Sequence, residues 1–274
     1  TGLGLLVILA GFLENHYGDN TKAWSVTMIV AALLMFTLTA ANFFATPKYE
    51  SSSDIILEKP KGFLEVFRTF FSKKGMGMGL TFILFFRLGE SQLVKMASPF
   101  LLDDPEVGGL GYSTAEVGTI YGTIGVIMLT VGGILGGILI SRHGLKRWMF
   151  PMVLSLNIPN AFYAFLAITN TSHIAAVVAT VILEQFGYGF AIAGFMVYLI
   201  YIAEGASKTS HYALATGFMA LGMMLPGLII GYVQEWLGYD GFFIWVVIAA
   251  LPSIILLRFI EYPADYGKKQ VADE

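Results

Sequence analysis

The stretch VGTIYGTIGVIMLTVGGILGGILISRHGLKR, residues 117–147, joins a long uncharged segment to a short basic one. Residues 117–140 carry no charged side chain, and about 20 apolar residues in a helix are enough to cross the hydrocarbon of a bilayer. The segment SRHGLKR that follows holds three cations, Arg142, Lys146 and Arg147. Lys and Arg collect in the cytoplasmic loops of membrane proteins. The stretch therefore predicts a transmembrane helix that ends in a cytoplasmic loop.

Apolar runs of similar length recur along the whole chain. Of its 274 residues, 56% are hydrophobic and 13% are charged, about half the charged share of a soluble domain. The runs are long and lack the alternation of strands, which indicates helices rather than a barrel. The chain is predicted to be an all-α, polytopic membrane protein. Seven full spans are expected at residues 23–46, 76–98, 117–140, 148–169, 173–203, 212–234 and 241–257.

The connections between these spans alternate in charge. In the first set, Lys22 is the one Lys or Arg residue, and the set comprises residues 14–22, 99–112, 170–172 and 235–240. The second set is basic and comprises residues 47–75, 141–147, 204–211 and the tail from Arg258. The positive-inside rule places the second set in the cytoplasm. We therefore expect a multi-pass protein of the bacterial inner membrane whose 47–75 linker and tail are cytoplasmic.

The longest connection suggests how the spans are grouped. Within GFLEVFRTFF, apolar side chains recur at helical spacing, which predicts an amphipathic helix at the membrane surface. A long cytoplasmic linker followed by six spans is the layout of the second half of a twelve-helix transporter. Residues 1–13 are too short for a span, so we interpret them as the end of a helix that begins upstream. The expected divisions are the end of a first bundle, 1–46; a linker, 47–75; a six-helix bundle, 76–258; and a tail, 259–274.

The loop GGILISRHGLKR resembles the short loop motif of the major facilitator superfamily, Gly-x-x-x-Asp-Arg-x-Gly-Arg-Arg. The match is carried by Gly137, Arg142, Gly144 and Lys146, which are interpreted as a gating loop. Ser141 stands where the family usually has an acid. The alternative is a short basic loop that only obeys the positive-inside rule.

Two acids, Glu90 and Glu184, lie well inside predicted spans. Ionisable residues within a membrane are costly and commonly mark a transport path or face a partner. Arg87, Glu90, Ser91 and Lys95 share one side of a helix, and Tyr188 lies one turn beyond Glu184. This face suits a polar organic ligand, with aromatic rings to stack on it. The alternatives are a structural ion pair for the first cluster and a single interhelical hydrogen bond for Glu184.

Other features give weaker predictions. Asn160 follows Pro159 inside a span and is expected either to line a cavity or to serve packing. Glycines four residues apart in 117–140 indicate close helix packing or a sliding contact. The chain has no cysteine and only four scattered histidines, so no metal site and no cofactor are expected. No nucleophile and base motif indicates an enzyme, and a net charge of −3 gives no nucleic-acid footprint.

Several blocks, taken in order, are similar to the AmpG-like muropeptide permeases, a group of peptide and acetyl-coenzyme A transporters within the same superfamily. The blocks are FRLGE at 86–90, PFLLD at 99–103, GYSTAEVG at 111–118, GGILISRHGLKR at 136–147, EQFGYGFAIAGF at 184–195, YALATGFMALG at 212–222 and GYVQEWLGYDGFF at 231–243. The resemblance implies an importer of anhydro-muropeptides for cell-wall recycling, driven by proton symport. Members commonly have Asp where this chain has Glu90.

These observations predict alternating access by two six-helix bundles around a midplane site. Substrate contacts are expected from Arg87, Glu90, Ser91, Lys95, Asn160, Glu184 and Tyr188. Glu90 or Glu184 is expected to bind the coupling proton. The expected partners are a small sugar-peptide, protons and the lipid bilayer, with the protein a monomer. The alternatives are transport of another organic anion, such as a sugar acid or an acyl-coenzyme A, and a channel or a sensor.

Overall fold

A computed structural model describes residues 2–45 and 62–269, and these residues form helices and turns without any strand. The predicted all-α fold class is confirmed. Five helices of the described part are long and apolar enough to cross a membrane, as judged by length and composition. They are Asn20–Ala45, Thr114–His143, Leu145–Thr169, Ile174–Ala203 and Lys208–Leu256.

Ten α-helices follow one another along the described residues. They are α1 Gly2–Tyr17, α2 Asn20–Ala45, α3 Phe63–Phe71, α4 Met76–Phe86, α5 Leu88–Leu102, α6 Thr114–Thr119, α7 Val126–His143, α8 Leu145–Thr169, α9 Ile174–Ala203 and α10 Lys208–Leu256. A 3-10 turn, Pro105–Val107, lies in the connection from α5 to α6, and it includes part of the PEVGG segment at 105–109. A π turn, Ile120–Gly125, joins α6 to α7 into one continuous span.

Two of the predicted spans differ from the observed helices. The span 76–98 is interrupted at Arg87, whose φ of −102° and ψ of 9° separate α4 from α5. Conversely, the span 212–234 and all but the last residue of the span 241–257 lie within α10, which has a non-helical residue at Gly238 (φ 67°, ψ 176°). When that break is counted, each predicted span corresponds to a helical segment.

The predicted connection 14–22 is wrong in length. α1 continues to Tyr17 and α2 begins at Asn20, so the turn between them is short. Gly18 adopts a φ of 61°, a left-handed conformation that glycine reaches without strain, and its N–H donates to the Glu14 carbonyl at 2.9 Å. Asp19 then caps α2, because its Oδ1 accepts from the Thr21 N–H at 2.9 Å.

α9 packs between α7 and α8, while α10 packs on α4, α5 and α8. The contact between α7 and α9 brings their backbones together. A Cβ added at Gly136 would lie 2.9 Å from the Phe190 carbonyl oxygen, and one at Gly132 would lie 2.9 Å from the Phe190 nitrogen. Gly137 faces open space instead. Close packing by the glycines is thus confirmed at 132 and 136, where larger side chains would force the helices apart.

The predicted amphipathic helix is α3. Its Phe70 is fully buried and packs against His211 of α10, with ring centroids 5.4 Å apart. Thr69 Oγ1 also lies 3.1 Å from His211 Nε2. Residues 47–61 of the predicted linker lie outside the described residues. The described end of the linker is therefore held against the start of α10.

The segment after α10 runs across the loop between α7 and α8. The Leu145 N–H donates to the Tyr266 carbonyl at 2.8 Å, and the Lys269 N–H donates to the Ser141 carbonyl at 2.8 Å. The Tyr266 hydroxyl donates to Glu204 Oε1 at the end of α9, also at 2.8 Å. Burial raises the pKa of the Tyr266 phenol above its ordinary value, and the Glu204 carboxylate acts in the same direction. This segment therefore ties the α7–α8 loop to α9.

Candidate functional site

Arg87 lies at the break between α4 and α5 and forms a two-point ion pair with Glu90. Arg87 Nε donates to Glu90 Oε2 at 2.8 Å, and Nη2 donates to Oε1 at 3.1 Å. Arg87 is 6% exposed and Glu90 is 2% exposed. Two parallel bonds match the planar fork of a guanidinium to a carboxylate, which fixes both side chains. The predicted pairing of these residues is confirmed.

The remaining faces of Arg87 contact α9 and α10. Its Nη2 donates to the Tyr188 hydroxyl at 3.0 Å, and its Cζ lies 5.2 Å from the centre of the Tyr188 ring. Its Nη1 lies 2.7 Å from the Met223 sulfur. Because the guanidinium reaches an acid, a phenol and a thioether on three helices, Arg87 connects α5, α9 and α10.

Glu184 of α9 is held by neutral donors. Tyr163 of α8 donates to its Oε2 at 2.6 Å, and Tyr121 donates to the same oxygen at 2.9 Å. Gln185 Nε2 donates to Oε1 at 3.1 Å, and the two tyrosine hydroxyls also contact each other. Tyr121 belongs to the π turn, and π turns inside α-helices often occur at functional sites. Glu184 is 4% exposed and Tyr163 is fully buried.

The two acids belong to one polar region inside the bundle. Glu184 and Tyr188 lie one helical turn apart on α9, and Tyr188 contacts Arg87, the partner of Glu90. The structure thus brings together four of the predicted site residues, Arg87, Glu90, Glu184 and Tyr188. We call these four, with Tyr121 and Tyr163, the interior polar cluster.

The other predicted contacts lie beside this cluster. Ser91 is buried and donates back to the Leu88 carbonyl of its own helix, at 3.3 Å. Lys95 is exposed and lies across Gly227 of α10, one turn beyond Met223. Asn160 is fully buried beside Gly89, and its amide oxygen and nitrogen have no partner among the described residues. A role for these three in binding stays a prediction.

Two aromatic rings farther along α9, those of Phe195 and Tyr198, serve packing. Phe195 stacks on Phe86 with centroids 4.1 Å apart, and Tyr198 lies edge to face with Phe82 at 5.3 Å. Phe195 is fully buried and Tyr198 is 2% exposed, so neither ring is open to a ligand in this conformation. Tyr188, the half-buried ring beside Arg87, stays available for stacking.

The predicted gating loop has exposed cations that form no ion pair with a described residue. Arg142 and Lys146 are exposed, and the described residues contain only two ion pairs, Lys22–Asp19 and Arg87–Glu90. Gly144 has a φ of 84° and lies against the backbone of Ala264, so a Cβ there would collide with the tail. The loop is therefore held by main-chain contacts with the tail.

Tyr121 and Tyr163 were not among the predicted site residues. A signal for them was present, because a tyrosine within an apolar span needs a partner for its hydroxyl once it is buried. With Glu184 already identified as a buried acid, the tyrosines of neighbouring spans were candidate donors.

Residues 1–210 match the sequence profile of the Major Facilitator Superfamily. The chain belongs to the major facilitator superfamily. This membership is consistent with the long apolar helices and indicates a multi-pass membrane protein.

Curated relatives within the superfamily are transporters. The chain is 26% identical over 266 residues to the anhydromuropeptide permease of Escherichia coli (strain K12), an alignment that covers 97% of the chain and 52% of that relative. The permease of Escherichia coli O157:H7 gives the same values. A Rickettsia felis protein named AmpG 4 is 24% identical over 264 residues, which cover 94% of the chain and 61% of that relative. The chain spans about half the length of the Escherichia coli relatives that it matches.

Proposed function

We propose that the whole protein imports an anhydro-muropeptide, or a closely similar sugar-peptide, by symport with protons through the bacterial inner membrane. The observation that carries this proposal is the interior polar cluster, which places a guanidinium, two carboxyls and a half-buried phenol between α5 and α9. The substrate class comes from the anhydromuropeptide permeases of Escherichia coli, to which the chain is similar.

The chemistry of the cluster suits such a ligand. Arg87 can transfer its two hydrogen bonds from Glu90 to a carboxylate of the peptide, since each of these carboxylates presents a pair of oxygens to the guanidinium. Tyr188 can stack on a sugar ring beside Arg87. Lys95 adds a second cation nearby. It lies over Gly227 of α10, one helical turn from Met223, and Met223 contacts Arg87. Ser91 and Asn160 are proposed to become contacts when the helices rearrange.

Glu184 is the acid that we assign to the coupling proton. Among the described residues its hydrogen-bond partners are two phenols and an amide, so no cation compensates its charge. A buried carboxylate without a counter-ion is costly in its charged form, whereas Glu90 has Arg87. When Arg87 moves to a substrate, Glu90 loses its cation and becomes a second proton acceptor.

The movement is proposed to be alternating access between two bundles, with the basic loops in the cytoplasm. In this assignment residues 1–46 belong to the first bundle and 76–258 to the second. The contact between them includes α1 against α6, where a Cβ on Gly11 would lie 3.1 Å from Ala115 and one on Gly118 would lie 2.9 Å from Val7. These close contacts allow the α6–α7 span to shift against α1.

The test uses the full-length protein in proteoliposomes with an imposed proton gradient and a labelled anhydro-muropeptide. Glu184→Gln is expected to abolish accumulation driven by the gradient while leaving counterflow exchange, which needs no net proton movement. Glu90→Gln is expected to reduce both, because it alters the Arg87 site. Glu106→Gln, an exposed acid in the 3-10 turn, is the matched control and is expected to behave as the wild type.

Gradient-driven uptake that survives both Glu90→Gln and Glu184→Gln would refute the assignment of the coupling proton. Competition identifies the substrate. Unlabelled anhydro-muropeptide should displace the label, whereas sugar acids and acyl-coenzyme A should not. Displacement of the label by a sugar acid or acyl-coenzyme A, but not by anhydro-muropeptide, would identify another organic anion as the substrate.

A further inference from the structure

A cavity lies on the surface of the bundle, and none of the residues of the interior polar cluster lines it. It has a volume of about 840 Å³ and lies between the first turns of α8 and the end of α10. α8 contributes Lys146 and Phe150, and residues 254–262 form the opposite wall. By the charge of its loops, this end of both helices is the cytoplasmic one.

Two cations line this cavity. Lys146 comes from the first turn of α8 and Arg258 from the residues just after α10, and both are exposed. Neither forms an ion pair with a described residue. Among the described residues, Glu261 is the one acid of the lining, so they give the cavity an excess of positive charge. The positive end of the α8 dipole acts in the same direction.

The wall below the cations is apolar and exposed. Phe150 is 51% exposed, and Ile255 and Phe259 are each 58% exposed. Farther along α8 and the second part of α10, further apolar side chains are exposed, namely those of Ile158, Phe162, Phe165, Ile248 and Leu251. In a membrane protein, exposed apolar side chains of the spanning helices face acyl chains.

We propose that this cavity binds an anionic phospholipid of the cytoplasmic leaflet. The phosphate lies between Lys146 and Arg258, and the acyl chains follow Phe150 and Ile255. Basic pockets between transmembrane helices on the cytoplasmic side recognise lipid headgroups of this class. A free phosphate would leave the apolar wall uncovered, and a zwitterionic lipid would bring its own cation to a site that already has an excess of positive charge.

The full-length protein in neutral detergent is titrated with phosphatidylglycerol, phosphatidylcholine or inorganic phosphate, and bound lipid is read by native mass spectrometry and by the shift in melting temperature. Phosphatidylglycerol is expected to remain bound and to raise the melting temperature more than the other two. The double variant Lys146→Gln/Arg258→Gln is expected to weaken phosphatidylglycerol binding about 30-fold, because each cation contributes about 1 kcal/mol to the binding of an anionic lipid.

The matched control is Lys208→Gln/Lys268→Gln, which removes two exposed cations from the same end of the bundle but outside the cavity. It is expected to retain wild-type binding. An equal loss in both double variants would attribute binding to bulk surface charge and would overturn the proposal. Equal binding of phosphatidylcholine, or an equal shift with phosphate, would do the same. The lipid-free melting temperature shows that each variant is folded, and no readout depends on transport.

Discussion

Glu90 and Glu184 are both buried acids inside one helical bundle, yet the chain holds them in different ways. Glu90 shares two bonds with the Arg87 guanidinium, whereas Glu184 accepts bonds from Tyr121, Tyr163 and Gln185. The difference is that a cation compensates the charge of the Glu90 carboxylate, whereas the described partners of Glu184 are neutral. An ion pair keeps Glu90 charged and its geometry fixed, whereas phenol and amide donors accommodate either protonation state of Glu184. Two acids that look equivalent in the sequence therefore suit different tasks.

The largest effect on stability is expected when one partner of the Arg87–Glu90 ion pair is removed. Arg87→Gln leaves Glu90 buried without its cation, and breaking a buried pair in this way costs about 3–5 kcal/mol. The free energy of unfolding of the full-length protein in detergent is the measurement. Arg87→Gln/Glu90→Gln should recover most of the loss, because it removes the unpaired charge. If the double variant is as unstable as Arg87→Gln, the pairing is not the reason for the loss.

The next effect concerns the donors to Glu184. Tyr163→Phe removes one hydrogen bond and is expected to cost about 1.5–3 kcal/mol when Glu184 is charged and about 1 kcal/mol when it is protonated. The loss in stability should therefore grow as the pH rises through the range where Glu184 releases its proton. Tyr188→Phe is the control, since its partner Arg87 stays charged throughout. A loss for Tyr163→Phe that stays constant over the whole pH range in which the protein remains folded would contradict the idea that Glu184 titrates.

A smaller effect is expected for Glu184→Gln. The amide keeps one oxygen that can accept from Tyr121 or Tyr163, and it removes an uncompensated charge, so stability should change by about 1 kcal/mol or less. Thermal unfolding of the purified variant is the measurement. A loss as large as that of Arg87→Gln would show that Glu184 is a structural anion like Glu90.

The smallest effect is expected at Lys95, which forms an ion pair with neither of the two acids. Its side chain is exposed and lies over Gly227, so Lys95→Gln should change the free energy of unfolding by about 0.5 kcal/mol at most. Substrate affinity, measured by binding to the same preparation, should fall if Lys95 contacts a substrate carboxylate. A large loss of stability would instead place Lys95 in the ion network of Arg87.

The spans and the pairing of Arg87 with Glu90 were predictable because they follow from local rules. Apolar run length marks the helices, and residues three apart on a helix face the same way. The break at Arg87 was not predictable, since no proline marks it and the partners of its side chain on α9 and α10 are 101 and 136 residues away in the sequence. Tertiary contacts of this kind have no local signature in the sequence.

The donors to Glu184 show the same limit. Tyr163 is 21 residues from Glu184 and Tyr121 is 63, so only the packing of three helices brings them together. The tail was predicted only as a cytoplasmic extension, whereas its described part pairs with the main chain of Leu145 and Ser141. Such main-chain contacts depend on the path of the chain, which side-chain periodicity does not encode.

The π turn at Ile120–Gly125 also affects how the chain tolerates changes in length. A π turn holds about one residue more than an α turn, whereas elsewhere in a helix a deletion rotates everything beyond it by about 100°. Loss of one residue inside this turn would leave an ordinary α turn, with α6 still capped by Ser113 and α7 still in register on α9. Within this span, the π turn is thus where homologues can differ by one residue in length and keep the same packing on both sides.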